Sequence, residues 1–159
     1  MEKITILCVD DQAEVLDSVV RDLRPLQAFF RVEEAGSAEE AKKILDETSR
    51  NGDYIGLVIS DHVMPGETGV ELLGAIFRDD RFADTKKILL TGQANHADTI
   101  RAINEARVDN YFEKPWKPED LVATAKKLLT QFILKKGIEY KDYMPILDQA
   151  ALLENLRGA

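Results

Sequence analysis

This sequence has few cysteines and lacks the long apolar runs that are typical of disulfide-rich, secreted or membrane proteins. Only one cysteine, Cys8, occurs among its 159 residues, so a disulfide framework within the chain is excluded. Cys8 lies in an apolar run, which favours a small buried residue. No apolar run approaches the roughly 20 residues that a membrane-spanning helix needs, and residues 1–9 are too short for a signal peptide. The sequence therefore predicts a cytoplasmic protein without membrane contact.

Basic residues are outnumbered by acidic ones. The chain has 21 lysines and arginines against 29 aspartates and glutamates, which gives a formal net charge of −8. An acidic field repels the phosphate backbone of nucleic acids, and no lysine- or arginine-rich run opposes it. We therefore expect no direct contact with nucleic acid.

Apolar segments alternate along the chain with segments of helical periodicity, and 45% of the residues are hydrophobic, enough for the core of one domain. Strands are predicted at residues 4–9, 30–35, 54–60, 87–90 and 110–113. Helices are predicted at residues 13–24, which Pro25 ends, at 37–47 behind a Ser37–Glu40 capping box, at 67–77, at 97–106, and from Pro118 past Leu129. This alternation predicts an α/β fold, a doubly wound, flavodoxin-like parallel sheet of five strands in the order 2-1-3-4-5.

Polar residues follow the apolar runs at the points where the predicted strands end. Asp10 and Asp11 follow the first strand, Asp61 the third, Thr91 the fourth and Lys114 the fifth. Because ligands bind beyond the carboxyl ends of the strands in such sheets, these side chains should converge. Three neighbouring carboxylates repel one another unless a cation offsets their charge, and a hard divalent cation with oxygen ligands is suited to this. The sequence therefore predicts a Mg²⁺ site.

The same residue types can carry phosphoryl transfer. A carboxylate oxygen can attack phosphorus in line and form an acyl phosphate, although the residues alone leave open which aspartate does so. Lys114 would bring positive charge to the transferring oxygens. The Thr91 hydroxyl and the backbone amides near His62 and Gly92 could donate hydrogen bonds to them.

Four fragments of the chain closely resemble the receiver domains of two-component response regulators, over roughly residues 3–130. They read Cys-Val-Asp-Asp, Ser-Asp-His-Val-Met-Pro-Gly, Leu-Leu-Thr-Gly and Tyr-Phe-Glu-Lys-Pro-Trp, and each closes a predicted strand. The resemblance implies a phosphoprotein that acts in signal transduction, in a two-component system or a phosphorelay. Such a protein takes its phosphoryl group from a histidine kinase or a phosphotransfer protein. It further implies a switch that assists its own phosphorylation and dephosphorylation rather than an enzyme.

The resemblance also implies roles for single residues. Asp61 would be the phosphoacceptor, Asp11 and Asp61 would bind Mg²⁺ directly together with the Val63 carbonyl, and Asp10 would help through a water. Gln93 and Val63 would influence the access of water to the acyl phosphate.

A second group of residues would transmit the signal. Thr91 and Tyr111 resemble the family's switch pair, in which the hydroxyl moves toward the phosphoryl group and the aromatic ring turns inward. Lys114 would pair with the phosphoryl oxygens, and the Lys114–Pro115 peptide would be cis, as is usual in the family. The sequence departs from the common pattern at Trp116, where phenylalanine is common, and at Gly92, where alanine is frequent.

Each of these residues also has a simpler interpretation when it is taken alone. An Asp-Asp pair after a strand is often a turn and helix-capping signal, Lys114 could be a solvated charge, and Tyr111 could be a half-buried strand aromatic. Their convergence at one edge of the sheet is what favours a site.

The segment after Thr130 extends beyond the usual end of receiver domains. We divide the chain into a receiver at residues 1–130 and a helical extension, or a linker toward a missing output segment, at residues 131–159. The helical pattern continues to Lys136 and stops at Gly137, and Pro145 is expected near the start of a helix at residues 146–156. An apolar stripe is predicted on that helix at Ile146, Leu147, Ala150, Leu153 and Leu156.

The stripe could be covered by the domain, by a second subunit or by a downstream segment. A homodimer could form through the region from Ala97 to Lys117 or through the extension.

Three other functions fit these residues less well. A Mg²⁺-dependent aspartyl-phosphate phosphohydrolase would need Asp-x-Asp after the first strand and a cap segment, whereas Asp10 and Asp11 are adjacent. A flavodoxin-like nucleotide binder would need a glycine-rich or hydroxyl-rich loop at that turn. A receiver-like module that only docks partners would not need to keep all five site residues.

Overall fold

A computed structural model of the protein describes residues 3–92 and 96–158, except for the side chain of Asp98. The strands are β1 at Ile4–Val9, β2 at Arg31–Ala35, β3 at Tyr54–Asp61, β4 at Lys86–Thr91 and β5 at Asn110–Glu113. The helices are α1 at Ala13–Asp22, α2 at Ala38–Arg50, α3 at Gly69–Arg78, α4 at Ala97–Glu105, α5 at Pro118–Lys136 and α6 at Gln149–Arg157. Among the described helices, none has the length and apolar character needed to cross a bilayer.

The five strands form one parallel sheet in the order β2-β1-β3-β4-β5, which confirms the predicted fold class. The register aligns the carboxyl ends of the central strands. Val9 pairs with Ser60, and Asp61 pairs with Leu90. Because neighbouring strands end level, the residues that follow them face the same edge of the sheet.

Two hydrophobic cores lie on the two faces of the sheet. On one face, residues of β1 and β3 such as Ile6 and Leu57 pack with α1 and α5; on the other, Leu7 and Val58 pack with α2 and α3. β3 is buried from Ile55 onward because helices cover both of its faces. Asp61 therefore lies at the end of a buried strand.

The ends of the early helices correct the predicted boundaries. α1 ends at Asp22, two residues before the predicted end at Arg24, and Pro25 lies in a separate 3-10 turn at Arg24–Leu26. Ser37 caps α2 by accepting the Glu40 N–H at 3.1 Å. The Glu40 carboxylate accepts from Gly36 N–H instead of Ser37 N–H, so the predicted reciprocal box is incomplete.

The third helix begins two residues later than predicted. Thr68 accepts the Glu71 N–H, and the Glu71 carboxylate accepts the Thr68 N–H, which together form a capping box. Residues 67 and 68 therefore lie outside the helix, which starts at Gly69.

The extension packs on the domain. α5 runs unbroken past Thr130 and ends at Gly137, whose φ of 71° is the left-handed conformation expected of a helix stop. Tyr143 is 1% exposed and stacks on Phe30 with 5.5 Å between ring centroids. The Thr130 hydroxyl accepts the Asp148 N–H at 2.9 Å, so a buried polar side chain of α5 fixes the start of α6.

The predicted stripe on the last helix is wrong in part. Pro145 lies inside a 3-10 segment at Lys141–Ile146, and Asp148 caps a helix that begins only at Gln149. The later start changes which residues of the helix face inward, although Leu147 is buried as predicted. Leu147, Ala151 and Leu152 are buried, whereas Leu153 and Leu156 are 51% and 54% exposed.

Replacing Tyr143 by alanine should lower the free energy of unfolding by about 3 kcal/mol, because it removes a buried aromatic ring from the core and leaves a cavity. Urea unfolding measures the change. The matched control is Leu156→Ala at an exposed position of α6, expected within about 0.5 kcal/mol of the unchanged protein. Equal losses in the two variants would show that the extension does not share the domain core.

Cys8 should resist thiol reagents in the folded protein. Its side chain is buried in β1, and this burial, aided by the nearby charge of Glu34, raises the pKa of the thiol to about 12. Since the thiolate is the reactive form, labelling with Ellman's reagent at pH 8 should be slower by roughly a thousandfold in native protein than in urea. Comparable rates in the two conditions would contradict the burial of β1.

Candidate functional site

Three carboxylates meet at the carboxyl edge of the sheet. Asp10 and Asp61 are 3% and 5% exposed, Asp11 is open to solvent, and one oxygen of each lies within 4.8 Å of the others. The sheet register places Asp10 beside Asp61, because the residues before them, Val9 and Ser60, are paired. The predicted acidic cluster is therefore present.

Asp10 has one oxygen satisfied and one not. Its Oδ1 accepts the Gln12 N–H at 2.9 Å, whereas its Oδ2 is buried and has no hydrogen-bond partner in the described part of the chain. Burial raises the pKa of this carboxyl, the charges of Asp61 and Asp11 raise it further, and the Gln12 N–H and the charge of Lys114 oppose them. An unpartnered buried oxygen among oxygen-only donors fits a hard divalent cation such as Mg²⁺.

Lys114 supplies the positive charge of the site. Its ammonium donates to Oδ1 of Asp61, and the two side chains are 32% and 7% exposed. The backbone N–H of Lys114 donates to the carbonyl of Thr91 at 2.9 Å, which extends the pairing of β4 with β5. The Lys114–Pro115 peptide is cis, as the resemblance implied.

The backbone near Asp61 corrects one predicted donor. The His62 N–H donates to the Leu90 carbonyl at 3.1 Å and is therefore used by the sheet, so it is not a donor for a ligand in this structure. The next amide, that of Val63, has no hydrogen bond among the described residues, and its side chain is 64% exposed. Gly92 has open space around its Cβ position.

Gly69 brings the start of α3 against Asp61. Its N–H donates to the His62 carbonyl at 2.9 Å, and a Cβ at this position would lie 2.0 Å from the Asp61 carbonyl oxygen. Only glycine permits this approach. Gly69 was not among the predicted site residues. The sequence Thr68-Gly69-Val70-Glu71 is a signal for it, because a capping box places its second residue at the helix start.

The predicted switch residues lie in the neighbouring strands β4 and β5. Thr91 is 1% exposed at the end of β4, beside the acidic cluster, whereas the Tyr111 side chain lies outward and is 41% exposed. Tyr111 pairs with Leu89 in the sheet register, two residues before Thr91. Gln93 lies outside the described residues.

Comparison with known proteins identifies the family. The family model for the response regulator receiver domain matches residues 6–126. The chain belongs to this family. Receiver domains are signalling switches rather than enzymes in the usual sense, and this membership does not favour the phosphohydrolase alternative.

Among its relatives, the hydrogenase transcriptional regulatory protein HoxA of Bradyrhizobium diazoefficiens is 32% identical over 135 residues, covering 85% of this chain and 26% of that protein. The phosphate regulon transcriptional regulatory protein PhoB of Pseudomonas aeruginosa is 31% identical over 125 residues, covering 79% and 51%. This receiver chain thus spans between about a quarter and a half of these relatives.

Solved structures resemble the whole receiver. The signal receiver domain of an HD domain-containing protein from Pseudomonas fluorescens has a TM-score of 0.73 and 27% identity, covering 87% of this chain and 96% of that one. A CheY-like receiver domain protein from Methanospirillum hungatei has a TM-score of 0.71 and 28% identity, covering 85% and 99%.

Gly69→Ala should lower the free energy of unfolding by about 3 kcal/mol, because the new methyl group must displace the Asp61 backbone or the start of α3. Gly92→Ala is the matched control, since nothing lies within 4 Å of its Cβ position. Urea unfolding should place the control within about 0.5 kcal/mol of the unchanged protein. A Gly69→Ala protein as stable as the control would contradict the close approach.

Proposed function

We propose that the protein is a phosphorylation-activated receiver in which Asp61 accepts a phosphoryl group from the phosphohistidine of a histidine kinase or a phosphotransfer protein. The observation that carries the proposal is the ion pair of Asp61 with Lys114 inside a cluster of two further carboxylates. A lone buried aspartate would need only a counter-charge. This cluster adds oxygen donors for a metal, which a phosphoryl acceptor needs.

Mg²⁺ is the cofactor that the donor set supports. Asp11, Asp61 and the Val63 carbonyl would hold it directly, and Asp10 would contribute through a water. When bound, the metal supplies positive charge that offsets the carboxylates and binds phosphoryl oxygens. The unpartnered Oδ2 of Asp10 is the buried atom that such a hydrated cation would satisfy.

The transfer itself requires an oxygen nucleophile and positive charge around phosphorus. An Asp61 oxygen attacks in line, the phosphorus–nitrogen bond of the phosphohistidine breaks, and the leaving imidazole takes up a proton. The Lys114 ammonium, now held on Asp61, moves to a phosphoryl oxygen. The backbone amides of Gly92 and Val63 donate hydrogen bonds to the other phosphoryl oxygens. The Val63 amide takes the role predicted for the amide of His62. The same groups would assist hydrolysis of the acyl phosphate.

The switch would use Thr91 and Tyr111. A phosphoryl group adds about −1.5 to −2 charge, which can bias a neighbouring two-state packing arrangement. The Thr91 hydroxyl would turn toward the phosphoryl oxygens, and the outward ring of Tyr111 would move into the space that this leaves. The surface from Ala97 to Lys117 would change as a result.

The output would lie with a partner or another segment. Relatives named as transcriptional regulators are longer than this chain, so we propose that residues 1–130 are the receiver and that residues 131–159 lead toward an output segment. Nucleic-acid binding would belong to that segment, because the receiver itself is acidic. Dimers would form through the surface from Ala97 to Lys117 or through the extension.

The proposal is tested by intact-mass measurement after incubation with a small phosphodonor such as acetyl phosphate. The protein should gain one phosphoryl group when Mg²⁺ is present and none when it is chelated. Asp61→Asn should abolish the gain, and Lys114→Ala should slow it on the order of a hundredfold, because a charged donor to the transferring oxygens is lost.

The matched control for Asp61→Asn is Asp46→Asn. Asp46 is an exposed aspartate of α2 that pairs with Arg81 at 2.9 Å and lies outside the site. This variant should be phosphorylated like the unchanged protein. A phosphoryl adduct that persists in Asp61→Asn, or one that forms equally well without Mg²⁺, would refute the proposal.

A further inference from the structure

Trp116 connects the loop after β5 to the end of α1. Its indole Nε1–H donates to Oδ2 of Asp22 at 2.9 Å, across 94 positions of sequence, and both side chains are half-buried. The indole ring also packs against the core on the α1 and α5 face. Phenylalanine, the residue common at this position, could pack in the same way but could not donate this hydrogen bond.

Asp22 is otherwise an unfavourable residue for its position. It is the last residue of α1, where the helix dipole disfavours negative charge. No cationic group lies within ion-pair distance of it among the residues the structure describes, and the Trp116 indole is the only hydrogen-bond donor to its carboxylate there. The contact with Trp116 therefore accounts for an acidic residue at this helix end.

The loop that carries Lys114 has few other attachments. Lys114 N–H donates to Thr91, Pro115 has no N–H, and the amides of Trp116 and Lys117 donate to no group in the described ranges. The backbone hydrogen bonds resume only where α5 begins, with Asp120 N–H donating to the Lys117 carbonyl. Between these points, side-chain contacts must hold the loop.

Packing between the loop and the start of α1 is incomplete. An open surface hollow of about 410 Å³ lies between them. Its lining consists of Glu14, Val15, Ser18, Lys114, Pro115 and Trp116. The loop therefore packs only partly against the start of α1. Besides the contact of the Trp116 ring with the core, the hydrogen bond to Asp22 is its specific attachment to this helix.

We propose that Trp116 and Asp22 are a positioning pair that holds Lys114 on Asp61. The inference rests on the proposed phosphoryl transfer to Asp61. α1 follows Asp10 and Asp11 directly, so a loop fixed to α1 keeps the Lys114 ammonium at a set distance from the carboxylates. Neither Trp116 nor Asp22 touches the reacting atoms, and both act through Lys114.

The test measures the rate of phosphorylation by acetyl phosphate at saturating Mg²⁺. Trp116→Phe keeps the ring and removes the donor, and Asp22→Ala removes the acceptor. Each should slow phosphorylation about fivefold, the effect expected from one lost hydrogen bond that orders a reacting group. The double variant should be no slower than either single one, because both remove the same contact. Asp22→Asn keeps an acceptor and should stay within about twofold of the unchanged protein.

The same substitution made in a protein that lacks Lys114 distinguishes an effect on the position of this lysine from a general loss of stability. In a Lys114→Ala protein, Trp116→Phe should cause no further slowing, because the residue that it positions is gone. Thr130→Val is the stability control. It removes the distant hydrogen bond to Asp148 and should lower the free energy of unfolding without changing the phosphorylation rate.

The possible failures are distinguishable. If the unchanged protein gains no phosphoryl group, the proposed function fails and the inference fails with it. If the unchanged protein is phosphorylated and Trp116→Phe reacts as fast, only the positioning pair is refuted. Equal slowing by Trp116→Phe with and without Lys114 would also refute it, since the effect would not pass through that lysine.

Discussion

The ion pair between Lys114 and Asp61 is the interaction on which the arrangement of the site depends. Asp10 and Asp61 are buried, and with Asp11 they bring three carboxylates within 4.8 Å, an arrangement that like-charge repulsion and lost hydration both oppose. One ammonium offsets one of these charges. The raised pKa of Asp10 and its unpartnered oxygen are the remaining imbalance, and a further positive charge, such as the proposed Mg²⁺, would offset it.

The sheet maintains this unfavourable cluster because its strands are buried on both faces and end level with one another. β3 cannot shift by one residue without exchanging its two buried faces, so the position of Asp61 is fixed by the packing of both cores. Gly69 adds a second constraint, since it allows α3 to begin against the Asp61 backbone. Stability stored in the cores thus offsets the electrostatic cost at the edge.

The residues of the site could be predicted from sequence because each one directly follows an apolar run, and parallel strands bring such residues together. Other features were beyond this reasoning. Whether the His62 amide bonds to the sheet or is free for a ligand depends on how far β3 pairs with β4. Which residues of α6 face the core depends on where Asp148 caps the helix. The contact of Trp116 with Asp22 joins two segments whose local patterns give no sign of each other. Periodicity predicts which face of an element is buried, but not which distant residue meets it.

The ion pair also constrains how the switch can work. In this structure the Lys114 ammonium donates to Asp61, the carboxylate that we propose as the nucleophile toward phosphorus. In the proposed transfer, the charge of Lys114 would pass from the carboxylate to the phosphoryl oxygens without leaving the site. A short movement of the side chain would accomplish this while the loop beneath it stays in place. The proposed transfer would thus need a Lys114 backbone that is held in place and a Lys114 ammonium that can move. The 32% exposure of the Lys114 side chain leaves room for that movement, while Thr91 holds its backbone.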